Sequence, residues 1–460
     1  MTPNRSLNRK LLVSVFNAQE AREAVLGGGR IIDSEDPKSA LGNIKPQHIM
    51  AISDAVLDYA RDLDVQLSTN IGEDQLLFRR SETGEALEKS PYEIAGKAAQ
   101  AAIGVAASMG TRVHSCNLVK VGVDGMHIEM LKEVLAEVVL TLRRTEHFSH
   151  SQVMSVLFAQ NVALWEERRT EESVRRVLVE LREFYPSTPE DPLAFDLERY
   201  AVGTLRDREG GILFTDPGQV SLGSLVGRGV LPQGANHAFV RVNELFPHSQ
   251  YFPRLAQGKK TNRAVVKAMV DAAADSGANA IMLDTSILSK VSSICLVDTA
   301  GSDMVDFNRF GGRDLPQSGI LDLEDIRFFV EYCHYRGIVA NVAGSVESYQ
   351  AQQLWVMVPE LDQISTRGAA SAVVRDPSRT DAADEDTRQH RIIRRTLVRG
   401  LAPPEHGGVL NIPARLKDDP AAQGAIRDLR ERVAEGRRAL GLPALETYFV
   451  DRNGNAEPAA

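Results

Sequence analysis

The sequence predicts an α/β chain built as a (β/α)8 TIM barrel, with a mostly helical insertion after the fourth helix and a helical C-terminal extension. Three observations lead there. Eight short apolar runs end in polar tips, at residues 10–15, 30–34, 65–72, 117–122, 238–245, 279–285, 338–345 and 363–368. Most are followed by a helix-like amphipathic segment, and strands alternating with helices pack as a parallel sheet. At 460 residues the chain exceeds the ~250 of a single barrel, so one barrel carrying additions accounts for the length.

The elements follow in order. After the first run, Asn17 opens a helix with Glu20 three residues on, in capping-box spacing, and Gly27-Gly28-Gly29 stops it. That triplet follows a helix and precedes a strand, the reverse of a phosphate or dinucleotide loop. A second helix starts at Pro46 and sets Ile49, Ile52, Val56, Tyr59 and Leu63 on one face. His48, at its start, reads as structural. An alanine-rich third helix spans about 92–109. A fourth, about 130–142, carries Leu131, Val134, Leu135, Val138 and Leu142 at helical spacing.

From residue 143 the rhythm breaks. A charged helix around 171–184, a Pro-containing stretch and the Gly-rich passage 210–234 read as an insertion. The passage has Gly223, Gly227 and Gly229 but no Gly-Lys-Ser/Thr ending, so a loop is expected there rather than a nucleotide site. Helices at about 263–276 and from Asp322 to Gly337 accompany the later runs, with a long loop, 288–319, between them. Helices near 387–398 and 421–440 follow the eighth run, and the tail 451–460 reads as disordered. The expected units are therefore residues 10–142 and 237–372 as the two barrel halves, 143–236 as the insertion, and 373–460 as the helical extension and tail.

Composition narrows the function. The formal net charge of −9 is spread without acidic or basic blocks, so neither nucleic acid nor a membrane is an expected partner. The three cysteines, Cys116, Cys295 and Cys333, form neither a disulfide framework nor a metal pair. A polar start without an apolar signal core points to a cytoplasmic protein. No HxH, HExxH or GxSxG pattern occurs, so no metal and no cofactor is expected. A homo-oligomer stays open.

Barrel chemistry sits at the C-terminal ends of the strands. The run tips are Asp33, Asn70, Lys120, Asn243, Asp284, Ser345 and Arg367. A charged side chain inside an apolar strand is costly unless it meets a partner or a solvated site, and Lys120 and Asp284 both fit that description. A lysine beside carboxylates at a barrel mouth suits a Schiff-base nucleophile, a proton carrier or a substrate clamp. An ion pair that merely closes the barrel is the plain alternative. The tips at Gly344-Ser345 and Arg367-Gly368 are small enough for backbone N–H groups to approach an anion, and Arg367 adds a charged fork. A small phosphorylated substrate is the expected partner.

At these residues the chain resembles the (5-formylfuran-3-yl)methyl phosphate synthases of methanofuran biosynthesis. The likeness runs through Lys10-Leu11-Leu12-Val13-Ser14-Val15, Ile31-Ile32-Asp33, Asp36-Pro37-Lys38, Leu41-Gly42 and Val119-Lys120-Val121-Gly122. It returns at Ala280-Ile281-Met282-Leu283-Asp284-Thr285, Asp306-Phe307, Ala343-Gly344-Ser345 and Arg367-Gly368-Ala369-Ala370. The resemblance implies a class I aldolase-like barrel that condenses glyceraldehyde 3-phosphate to a furan aldehyde phosphate for one-carbon metabolism. It implies Asp33, Lys120 and Asp284 in catalysis, and Gly344, Ser345, Arg367 and Gly368 in phosphate binding. Two family lysines are replaced: the Schiff-base nucleophile by Glu35, and a second by Leu288. A carboxylate reverses the charge and removes the imine route at that position. Lys38, Lys120 or Lys290 would have to supply the amine. Otherwise the chain is a diverged barrel enzyme working by acid–base catalysis through Glu35 and Asp284, or a non-catalytic phosphometabolite-binding partner subunit.

Overall fold

The computed structural model describes residues 9–36, 44–60, 63–71, 78–80, 86–88, 91–110, 117–122, 128–159, 162, 205–206, 212–214, 261–285, 294–299, 303–307, 310, 318–375 and 389–459. The expected strand 238–245 with Asn243, the charged helix of the insertion, its Gly-rich passage apart from residues 212–214, and Lys38, Leu288 and Lys290 lie outside them.

Strands β1 (Lys10–Val15), β2 (Ile31–Ser34), β3 (Gln66–Asn70), β4 (Leu118–Gly122), β5 (Gln152–Phe158), β6 (Ala280–Asp284), β7 (Val339–Val342) and β8 (Gln363–Thr366) close into an eight-stranded barrel. Every pair is parallel, and β8 returns to β1. Around it run α1 (Ala18–Leu26), α2 (Pro46–Tyr59), α3 (Pro91–Met109), α4 (Ile128–Arg144), α5 (Arg263–Asp275), α6 (Leu323–Tyr335) and α7 (Ser348–Met357). The caps are those the sequence spells out. Asn17 accepts from the Glu20 N–H, Glu20 accepts from the Phe16 N–H, and Asp322 accepts from the Asp325 N–H. His48 packs against Phe16 with the rings tilted and their centroids 5.0 Å apart.

The period-two pleat divides each strand between two environments. Leu12, Ile31, Leu118, Met154, Val156, Phe158, Ala280, Met282 and Ala343 form an apolar cluster inside the barrel. Leu11, Val13, Ile32, Val119, Val153, Leu157, Ile281 and Ile364 face outward into the larger core beneath the helices.

The fifth strand is a correction. The sequence predicts it at 238–245 and assigns residues 143 onward to an insertion; the barrel strand is Gln152–Phe158. Like the other barrel strands it is buried on both faces, and its place rests on Ser155 pairing Val121 on one side and Ile281 on the other. The excursion therefore falls after β5. Val162 O accepts from the Asn262 N–H just before α5, bringing the ends of the excursion together.

The C-terminal extension is a second correction, because it is mixed rather than helical. The antiparallel pair β9 (Ser371–Arg375) and β10 (Gln389–Ile393) occupies part of the expected helix 387–398. Then come α8 (Arg395–Leu401), β11 (Leu410–Pro413), α9 (Gln423–Ala439), β12 (Thr447–Val450) and β13 (Ala456–Pro458). β11, β12 and β13 make a three-stranded sheet, so the expected disordered tail is a strand. Asp451 builds the turn before it, its carboxylate accepting from the Asn453 and Asn455 N–H groups at 2.9 Å.

α8 packs between α7 and α1 and so fills the eighth helix position of the ring. Trp355 Nε1 donates to Leu401 O, and Gln352 Nε2 donates to the carbonyls of Gly400 and Ala402. Arg9, buried at the foot of the barrel, forks Glu405 at 2.8 and 2.7 Å. The glycine triplet ends α1 as expected, and it also admits this segment. Gly28 has φ +101°, and a Cβ there would stand 2.8 Å from His406 O and 2.9 Å from the Ala402 methyl.

Candidate active site

Residues of β1, β2 and β4 that point inward near the C-terminal end build the site. Ser14 follows Leu12 on the inner face of β1, Asp33 follows Ile31 on β2 with Glu35 next on the same face, and Lys120 follows Leu118 on β4. Lys120 Nζ stands 2.6 Å from Asp33 Oδ2 and 3.1 Å from Glu35 Oε2. Ser14 Oγ lies 2.9 Å from the same Asp33 oxygen and 3.0 Å from the same Glu35 oxygen. All four side chains are buried. Ammonium and hydroxyl thus bridge one pair of carboxyl oxygens.

Charge decides the protonation. Burial pushes the Asp33 carboxyl up, but the Lys120 ammonium, with hydrogen bonds from its neighbours, outweighs this and holds it below the usual range. Burial also pushes Glu35 up, and there Lys120 offsets too little against the nearby Asp33 charge, leaving Glu35 at about 8. Burial disfavours the Lys120 ammonium, yet the two acids hold its proton on above the ordinary lysine value. At neutral pH the group is therefore an ammonium, a carboxylate and a carboxylic acid. It has no net charge, which is what a dry site can tolerate.

Asp284 ends β6 and is buried, its Oδ1 accepting from the Thr285 N–H at 2.7 Å. Among the described residues, the ion pairs of Lys120 are with Asp33 and Glu35 rather than Asp284. Gly344 and Ser345 turn the chain after β7, with φ of 84° and 63°. A Cβ on Gly344 would meet Thr285 Oγ1 at 2.4 Å, so the ends of β6 and β7 are pressed together. Gly368 opens a short 3₁₀ turn after β8. The Arg367 fork faces inward to the protein. Its Nη1 donates to Ser14 O at 3.0 Å and to Glu20 Oε2 at 3.2 Å, and its Nη2 donates to Glu20 Oε1 at 3.4 Å.

The sequence thus names Asp33, Glu35 and Lys120 as site residues, and the fold brings them into contact. It misses Ser14 and Glu20. The signal for Ser14 is a polar residue in an otherwise apolar run, on the face shared with Leu12. Glu20 carries a helix-cap signature that conceals its second partner, Arg367.

A family model described as 4-HFC-P synthase matches residues 11–177. The resemblance to the furan phosphate synthases is thereby shown over the first five strands, the part that carries Ser14, Asp33, Glu35 and Lys120. What the match supports is an enzyme of lyase or synthase type. No curated protein matches the sequence. Among solved structures, a 2,3-dimethylmalate lyase described as a PEP mutase/isocitrate lyase superfamily member is 10% identical over 79% of this chain and 78% of its own, with TM-score 0.34. Phosphoribosyl anthranilate isomerase from Thermus thermophilus is 9% identical over 85% of this chain and 96% of its own, with TM-score 0.32. Likenesses of that order carry nothing about the chemistry. No helix among the described residues is long and apolar enough to cross a membrane.

Proposed function

We propose that this chain is a lyase-type synthase acting on a phosphorylated carbonyl compound by acid–base catalysis. The reaction favoured by the family match is condensation of two triose phosphates, such as glyceraldehyde 3-phosphate, to a furan aldehyde phosphate with loss of one phosphate and of water. The observation that supports this most is the pair of contacts from Lys120 to Asp33 and Glu35, at 2.6 and 3.1 Å. An ammonium held by two acids is a donor to a carbonyl oxygen, not an amine that attacks the carbonyl carbon.

The roles follow from the charges. Lys120 polarises the substrate carbonyl. Asp33, ionised, takes the proton from the adjacent carbon. Glu35, holding its proton up to about pH 8, gives it to the departing hydroxyl, which leaves as water. Asp284 lines the wall at β6. The turns at Gly344, Ser345 and Gly368 offer backbone N–H groups to a phosphate, with Arg367 beside them. The reading places the protein in the cytoplasm, where such phosphate esters occur.

The test is incubation with glyceraldehyde 3-phosphate, with and without borohydride, following furan absorbance, phosphate release and intact mass. Turnover without a reduced adduct is the expected result. An adduct mapped to Lys120 or Lys38 would replace acid–base chemistry with an imine. Tight binding without turnover would make the chain a phosphometabolite-binding subunit.

A further inference from the structure

We infer that Ser14 is a positioning residue of this site: its hydroxyl accepts the proton held by Glu35 and donates its own to Asp33, fixing which acid is charged. The inference deepens the acid–base reading above and rests on it for its catalytic meaning. Its geometry stands alone. Ser14 Oγ lies 2.9 Å from Asp33 Oδ2 and 3.0 Å from Glu35 Oε2, and a hydroxyl has one proton to give. Facing two acids at hydrogen-bonding distance, it donates to the ionised one and accepts from the one that keeps its proton.

The backbone of Ser14 is held as firmly as its side chain. Arg367 Nη1 donates to Ser14 O at 3.0 Å from the end of β8, and Glu20 on α1 holds the guanidinium in turn. Glu20 is itself tied down by the Phe16 N–H at 2.7 Å. The groups around the two acids are then Lys120 from β4, Ser68 from β3, and the Arg367–Glu20 pair behind β1. A proton passing along the line leaves Glu35 Oε2 for Ser14 Oγ while the Ser14 proton moves to Asp33 Oδ2. Glu35 ends as the carboxylate and Asp33 as the acid, with total charge unchanged.

The test titrates the two carboxyls by carbon-detected NMR in the substrate-free full chain, as wild type, Ser14→Ala and Ser14→Thr. Ser14→Ala removes the acceptor from Glu35 and the donor from Asp33. The Glu35 midpoint should fall and the Asp33 midpoint rise, each by about one pH unit or more. Ser14→Thr keeps the hydroxyl and should restore both. A folded Ser14→Ala protein with both midpoints unmoved would overturn the inference, since the acids would then share the proton directly. If Ser14→Ala does not fold, Ser14→Cys, with its weaker hydrogen-bonding sulfur, is read by the same criterion. Because no substrate enters, failure of the triose phosphate reaction leaves this readout intact.

Discussion

Lys120 Nζ on β4 meets Asp33 Oδ2 on β2 at 2.6 Å, reaching across the barrel interior past the whole of β3. The intervening strand makes room by presenting Ser68 and Asn70 there rather than large apolar side chains. A buried charge with two partners is costly to break from one side. Lys120→Met should abolish turnover and lower stability by about 3–5 kcal/mol at neutral pH. Without the ammonium, the folded-state carboxyl of Asp33 moves above its unfolded value, so the loss should shrink as pH falls through that raised value and on into the acid range where wild-type Asp33 also protonates. Urea denaturation across pH checks this, and a wild-type midpoint for Lys120→Met at pH 7 would contradict the pairing.

Glu35 gives the pH dependence of stability its sign. Its folded value is raised to about 8 from 4.5, so its contribution is fully present below 4.5 and is lost as pH rises towards 8. Glu35→Gln, which cannot ionise, should overtake wild type in Tm through that window and keep a constant lead above it. In the same variant the alkaline limb of kcat/KM should vanish along with most of the activity. Thermal melts of the two proteins at matched ionic strength decide the first point.

Arg367 separates a structural pair from a phosphate fork. Arg367→Met would leave the buried Glu20 carboxylate without its cation, at a cost of about 3–5 kcal/mol. Arg367→Met combined with Glu20→Gln should recover much of that stability. If the single variant instead melts like wild type and only raises KM, the guanidinium serves the substrate and not Glu20.

Gly28→Ala tests how the extension is joined to the barrel. The added methyl would stand 2.8 Å from His406 O at a φ of +101°, so a loss of about 1–3 kcal/mol is expected. Limited proteolysis should then cut first around residues 402–408, releasing the extension from α1. Unchanged proteolysis would show that the close approach contributes little.

Gly344→Ala should be felt at the opposite end. Its methyl would collide with Thr285 Oγ1, and on the proposed function displacing that turn moves the backbone that meets a phosphate. KM for a triose phosphate should rise about tenfold or more, with kcat less affected. Equal losses in both would place the turn in the chemical step instead.

The sequence by itself determined the barrel, seven of its strands, the caps of α1 and α6, and the acids and lysine that meet in the candidate site. Each of these is written locally, as an apolar run, a cap residue or a charge inside a strand that demands a partner. Only the tertiary structure decided the rest. β5 is buried on both faces like the other barrel strands, and which run stands between β4 and β6 is decided by its pairing with Val121 and Ile281. The last strand is the hairpin partner of β12 across the Asp451 turn, and that sheet is completed only by β11, while α8 is stabilised by a surface distant in sequence, the groove between α1 and α7. The site followed the same division. Residue types announce that Lys120 needs acids, but which acids, and that Ser14 stands between them, depends on how the strands are staggered around the closed barrel.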